Sequence, residues 1–173
     1  MKLPNHTALK EWSTVIAALG SGEQILLIRK GGIADPSFGV EAERFYLYPT
    51  YFHQGESDAR PRVEITHWCE VVRTWTVGDR ETLERLASLV AIPRETLDAR
   101  YRFRPDQALY VLAVRTWELA RATQVEYRDI YGGCKSWISV DEEIDVEGSR
   151  RVLSDGELEA RIAEVDALVS AAV

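Results

Sequence analysis

Two segments carry residue types suited to holding an anion. Arg29-Lys30-Gly31-Gly32 sets two cations beside a glycine pair at a strand end, where backbone N–H groups can approach a phosphate closely. A plain strand-ending turn would use the same residues. Neither a Walker loop nor a Gly-x-Gly-x-x-Gly fingerprint is present, so nucleotide-loop folds are not indicated. Pro49-Thr50-Tyr51-Phe52-His53-Gln54 follows an aromatic strand and puts His53 on a loop, where functional groups concentrate. His53 can act as general base, metal ligand or donor to a bound anion, with Thr50 and Gln54 orienting a ligand, or it can simply cap the loop.

Carboxylates and thiols offer further chemistry. Glu41 and Glu43, with Asp35, supply hard oxygen ligands, and adding His53 would make a Mg²⁺ site for phosphodiester hydrolysis. A solvated acidic loop is the bland alternative. The Glu-x-Lys signature of restriction-enzyme-like nucleases is missing, because Ala8, Ile28 and Gly133 stand two positions before Lys10, Lys30 and Lys135, and Lys2 is too near the start. His67 and Cys69 fall on one strand face and, with His53 and Cys134, could converge as zinc ligands. No Cys-x-x-Cys or His-x-x-x-His spacing supports that set, so no metal or other cofactor is assigned. Val72-Arg73-Thr74-Trp75 and Val114-Arg115-Thr116-Trp117 echo each other, and in each the Arg and Trp share a strand face. Arg73 and Arg115 can extend an anion pocket, or lay their stems beside the indoles at the surface.

These residues need a scaffold, and periodicity outlines one. Leu9, Trp12, Ile16 and Leu19 predict a first helix over Thr7–Leu19 stopped by Gly20. Strands are predicted over Glu23–Lys30, Arg44–Phe52, Arg62–Val77, Ala108–Leu119 and Cys134–Val140. In the second, Pro49 should end the strand or mark an edge. In the long third, Val63, Ile65, His67, Cys69, Val71, Arg73 and Trp75 should share one face. Asp79 can cap a middle helix carrying Leu83, Leu86 and Val90, with Pro93 opening a further turn toward Tyr101. Ser154-Asp155-Gly156-Glu157 is a capping box for a last helix with Leu158, Ile162, Val165 and Val169 on one stripe.

The order lacks the strict strand–helix alternation of a doubly wound sheet. It predicts a single α+β domain over residues 1–173, with a mixed or mainly antiparallel sheet and amino-terminal, middle and carboxy-terminal helices packed on it. A formal charge of −7 opposes long-range attraction to a nucleic-acid backbone or an anionic membrane, leaving only a local basic pocket for such ligands. No signal-peptide pattern opens the sequence, and two cysteines are too few for a disulfide scaffold, which favours the cytoplasm and reduced thiols.

Leu9-Lys10-Glu11-Trp12, Ile28-Arg29-Lys30-Gly31-Gly32-Ile33, Phe45-Tyr46-Leu47-Tyr48-Pro49-Thr50 with His53-Gln54, and Gly133-Cys134-Lys135-Ser136-Trp137-Ile138 together resemble the bacterial domain of unknown function 1802 family, from about Leu9 to Val140. The resemblance implies no reaction. It draws attention to Lys30, Gly31, Gly32, Glu41, Pro49, Thr50, His53, Gln54, Cys134 and Trp137.

Three readings stand open. The first is a domain binding a phosphorylated small molecule or a nucleic-acid end through Arg29, Lys30, Gly31, Gly32, Thr50, His53 and Gln54, joined by Arg73 or Arg115. A second is a metal-dependent hydrolase with His53, Glu41 and Glu43 as its catalytic set. The last is a self-association module, such as a homodimer, built on Trp12, Trp68, Trp75, Trp117 and Trp137.

Overall fold

In the computed structural model, residues 3, 6–30, 40–51, 61–107, 109–133 and 135–171 are described. The alternation in the aromatic strand decides the layering. Phe45 and Leu47 point into one buried cluster, while Tyr46 and Tyr48 point into another, so the sheet has a core on each face. Both periodic sets are therefore inside, which is why the segment shows no polar face.

The described elements are β1 (Thr7–Trp12), α1 (Ser13–Ser21), β2 (Leu26–Arg29), β3 (Arg44–Thr50), β4 (Arg62–Val77), α2 (Arg80–Leu86), α3 (Arg94–Arg102), β5 (Leu109–Glu126), β6 (Trp137–Ser139), β7 (Arg150–Arg151) and α4 (Asp155–Ser170). The seven strands form one mixed sheet in the order β2-β5-β4-β3-β1-β6, with β7 on β5. Every pairing is antiparallel except β1 with β3. The α+β class with a mixed sheet is as the sequence indicates. None of the described helices is long and apolar enough to cross a membrane.

Three sequence expectations need correction. The first helix does not begin at Thr7, because Thr7–Trp12 is β1, paired with β3 on one side and β6 on the other. Leu9 and Trp12 fit a helical spacing, but two neighbouring strands satisfy the backbone of this segment, and such pairing overrides local propensity. The helix stop is likewise Gly22 rather than Gly20: Gly22 takes φ 77° and donates to the Leu19 carbonyl at 3.2 Å. Gly20 serves packing instead, since a Cβ there would stand 2.7 Å from the His67 ring.

The single face expected along β4 is also broken. Register shifts between Ile65 and His67 and between Val71 and Arg73 interrupt the period of two. Val63, Ile65 and Trp68 consequently belong to one core and Cys69 to the other. The third correction is length: β5 runs on to Glu126, because Thr123–Glu126 pairs with Arg62–Ile65 to extend the hairpin. Pro49 lies within β3, opposite Glu11 of β1, beyond the last β3 residue paired with β4, so its missing N–H costs no bond to β4.

The tryptophans are packed rather than displayed. Trp68 stacks on Trp117 at 5.0 Å and 3°, Phe45 meets Trp137 edge-on at 5.1 Å, and Trp12 and Trp75 lie against the first core. Trp68 and Trp137 are buried, while Trp12, Trp75 and Trp117 are half-buried.

Helix ends follow the sequence closely. Ser154 and Glu157 form the capping box of α4, and Asp79 accepts the Thr82 N–H at 2.7 Å to cap α2. That bond holds the Asp79 carboxyl below its ordinary value. A group with a depressed folded pKa contributes its stability above the unfolded value and loses it as pH falls through the folded one. Asp79→Ala is therefore expected to cost about 1 kcal/mol in urea denaturation at neutral pH. The difference from the parent should shrink in acid, and one that stayed constant with pH would contradict this account of the cap.

Candidate anion site at the seam between β1 and β2

Glu11 is the one acidic residue among the fully or nearly fully buried polar groups described, at 1% exposure. A buried carboxylate is costly unless charge and hydrogen bonds compensate it. Its Oε2 accepts from Arg29 Nη1 at 3.0 Å, and its Oε1 accepts the Trp12 N–H at 2.8 Å. Arg29 itself is only 11% exposed along its side chain.

This pair reports the shape of the sheet. β2 and β1 are four strand spacings apart in sheet order, about 19 Å in a flat sheet, which is more than an arginine and a glutamate can bridge together. The sheet must curl until β2 approaches β1, and the Glu11–Arg29 pair lies across the seam.

Further groups converge there. Thr50, at the end of β3, donates its hydroxyl to the Glu11 carbonyl at 3.1 Å, matching the β1–β3 register in which Trp12 opposes Thr50. Arg100 reaches down from α3, donates to the Ile28 carbonyl at 2.8 Å and lies 5.7 Å from the centre of the Trp12 ring. Burial lowers the Arg100 pKa, Glu11 raises it, and the like charge of Arg29 lowers it again. Lys30 donates to the Tyr101 carbonyl at 2.9 Å and sits 5.8 Å from the Tyr101 ring centre, its pKa lowered by burial and partly restored by Asp106. Three cations thus gather around Glu11 and Asp106, a local positive surplus among the described residues of a chain whose formal charge is −7.

Of the sequence-predicted ligand residues, Arg29, Lys30 and Thr50 come together at this seam. Gly31, Gly32, His53 and Gln54 lie outside the described residues, although Gly31 follows Lys30 directly and His53 follows Thr50 closely in the chain. Arg73 and Arg115 are engaged elsewhere. Arg73 pairs with Asp166 at 3.1 Å, and Trp75 Nε1 donates to the same oxygen at 2.8 Å. Arg115 pairs with Asp155 at 2.9 Å and Glu70 at 3.4 Å. Both arginines therefore fasten α4 to the sheet. Arg115 is also five residues along β5 from Tyr110, the partner of Arg29, or about 17 Å at the rise of a strand.

Glu41 and Glu43 are exposed and precede β3, whereas the seam lies at its Thr50 end, so the seven residues of β3 hold Glu43 about 23 Å from Thr50. Cys69 is sealed in the core beside Thr116 at 3.6 Å, and burial pushes its thiol up to about 12, which removes it as a nucleophile at neutral pH. His67 shares a hydrogen bond with Thr66 at 2.8 Å, and burial lowers its pKa. Among the described residues no three His, Cys, Asp or Glu side chains are grouped to hold a metal.

Glu11, Arg100 and Tyr101 escaped the sequence reading as site residues, and Trp12 entered it as a candidate only as an aromatic of the self-association surface. A helix over Thr7–Leu19 gives Glu11 no strand neighbours, and nothing local to Arg100 reveals that it reaches across to β2. A usable signal existed in Leu9-x-Glu11, where a carboxylate takes the inward position of a strand that pairs with β3.

A model of the family described as "Domain of unknown function (DUF1802)" matches residues 8–164. The chain belongs to the DUF1802 family. Its segments quoted for the resemblance contribute Glu11, Arg29, Lys30 and Thr50 to the seam. No curated protein matches the chain in sequence. Solved structures similar to it include the crystal structure of ASCH from Zymomonas mobilis, at 9% identity over 91% of this chain and 93% of that one, with a TM-score of 0.49. A serine-to-alanine mutant of the same protein matches at 8% identity over 95% and 99%, with a TM-score of 0.48.

Removing the buried carboxylate would leave Arg29 and Arg100 facing each other without it. Glu11→Gln is expected to destabilise the fold by about 3 kcal/mol, the usual result of breaking a buried pair. Glu11→Gln combined with Arg29→Met should recover most of that loss in chemical denaturation. Additive losses in the double variant would show that the two side chains do not depend on each other.

Proposed function

We propose that the seam binds the phosphate of a phosphorylated ligand, with Lys30 and Thr50 at its mouth and Arg29 and Arg100 fixing the field behind them. The observation that carries this reading is the convergence of Arg29 and Arg100 on the buried Glu11, with Lys30 beside them on the Tyr101 carbonyl. Glu11 holds the Arg29 guanidinium in place in the free protein, so little rearrangement is needed when an anion arrives. Gly31 and Gly32, next to Lys30, add backbone N–H donors without side chains, and His53 and Gln54, just past Thr50, add side-chain donors. Arg73 and Arg115 are left out of the site because their guanidiniums hold α4.

The protein as it stands should be screened by thermal shift against inorganic phosphate and nucleoside monophosphates. Saturating ligand is expected to raise Tm, since a ligand that binds only the folded state stabilises it. Lys30→Ala should weaken binding about tenfold through loss of one charge-assisted contact. Affinity should also fall as pH rises through the lowered Lys30 pKa, where the ammonium is lost. If no phosphorylated compound shifts Tm, the proposal is wrong.

A further inference from the structure

Immediately beyond the seam, α3 ends in a sequence that alternates cations and aromatics: Arg100-Tyr101-Arg102-Phe103-Arg104. Two of these residues already belong to the seam, Arg100 through Trp12 and Tyr101 through Lys30. Of the remaining three, Arg102 and Phe103 are exposed and Arg104 is half-buried. Phe103 is 40% exposed and is the one aromatic side chain in the exposed class among the described residues. Arg102 is exposed along 73% of its side chain, with Asp98 at 3.8 Å as its ion-pair partner. The Arg104 guanidinium lies 5.2 Å from the centre of the Phe103 ring.

Backbone hydrogen bonds hold the chain on either side of Phe103. Its N–H caps α3 by donating to the Ala99 carbonyl at 3.0 Å. Arg104 then takes φ 50°, a left-handed conformation uncommon for a residue with a side chain. A turn follows, closed by the Gln107 N–H on the Arg104 carbonyl at 2.9 Å, with Pro105 in its favoured second position. An apolar ring is thereby held out to solvent between two arginines, whereas the other described Phe, Tyr and Trp side chains are at least partly buried. The backbone strain at Arg104 is the kind that persists where function retains it.

We infer that the phosphorylated ligand is a single-stranded nucleic acid, with one phosphate at the Lys30 seam and an adjacent base stacked on Phe103. The inference rests on the anion site proposed above and adds the ligand's class. Stacking on an aromatic ring beside arginines is sequence-tolerant, because every base has a π-face. The Lys30 ammonium touches the carbonyl of Tyr101, the residue before Arg102, so phosphate site and platform are neighbours along one backbone path. A duplex hides the faces of its bases and cannot use the platform. The overall charge of −7 predicts that binding is local, short in footprint and sensitive to salt.

The test uses a labelled oligonucleotide of about eight residues, within the site size of a small single-strand binder, read by fluorescence anisotropy at low salt. The full chain is expected to bind the single strand more tightly than either a matched duplex or a mononucleotide. Phe103→Ala should weaken oligonucleotide binding about tenfold, and Phe103→Trp should restore it to within about twofold, while both leave the affinity for inorganic phosphate, which has no base to stack, unchanged. Arg102→Gln should lower the slope of log affinity against log salt by about 0.7, the share of one phosphate contact on a single strand. An oligonucleotide that binds no better than a mononucleotide, or as well to Phe103→Ala as to the parent, overturns the platform and leaves the anion site standing. Failure of mononucleotide and oligonucleotide alike overturns both.

Discussion

The buried pair between Glu11 and Arg29 is the constraint on which the rest of the seam depends. It joins strands that a flat sheet would keep about 19 Å apart, so it can form only when the sheet is curled. It also places a carboxylate where water cannot stabilise it, and the surrounding groups answer that cost: the Trp12 N–H, the Arg29 guanidinium and the nearby Arg100. Such a pair is weak support for stability in itself, because desolvation offsets much of the attraction. Its value is geometric, since it permits one arrangement of β1, β2 and α3 and penalises the others.

Positioning of the seam follows from the two cores. Because β3 is apolar on both faces, its carboxyl end cannot swing toward solvent on either side, and Thr50 is delivered to the same place as Glu11. β2 is anchored to β5 over Leu26–Arg29, which carries Arg29 and Lys30 to that end. α3 completes the enclosure, with Arg100 bonded to β2 and its last turn receiving Lys30. Further along the hairpin, Arg73 and Arg115 use the same guanidinium chemistry for a different purpose, fastening α4 through Asp166 and Asp155.

What the sequence revealed, and what it hid, follows from how local each determinant is. The caps at Asp79 and Ser154 depend on residues three apart and were legible, as was β4 from Arg62 to Val77. β1 was not, because Leu9 and Trp12 suit a helix and only pairing with β3 and β6 makes a strand of them. The register shifts in β4 leave no mark on composition, so the predicted shared face from Val63 to Trp75 failed. Arg29, Lys30 and Thr50 could be singled out by chemistry alone. That they meet could not, since the residue joining them, Glu11, lay in the misread segment. Arg73 and Arg115 carried the same chemical signal, but their carboxylate partners lie on a helix far along the chain.

The central claim is that the cations around Glu11 form the anion site, and arginine side-chain N–H resonances report on it directly. In a titration with inorganic phosphate followed by ¹⁵N-resolved NMR, the Nε–H signals of Arg29 and Arg100 should shift in a saturable way, while those of Arg73 and Arg115 stay in place. Saturable shifts at Arg73 and Arg115 with none at Arg29 and Arg100 would contradict the account.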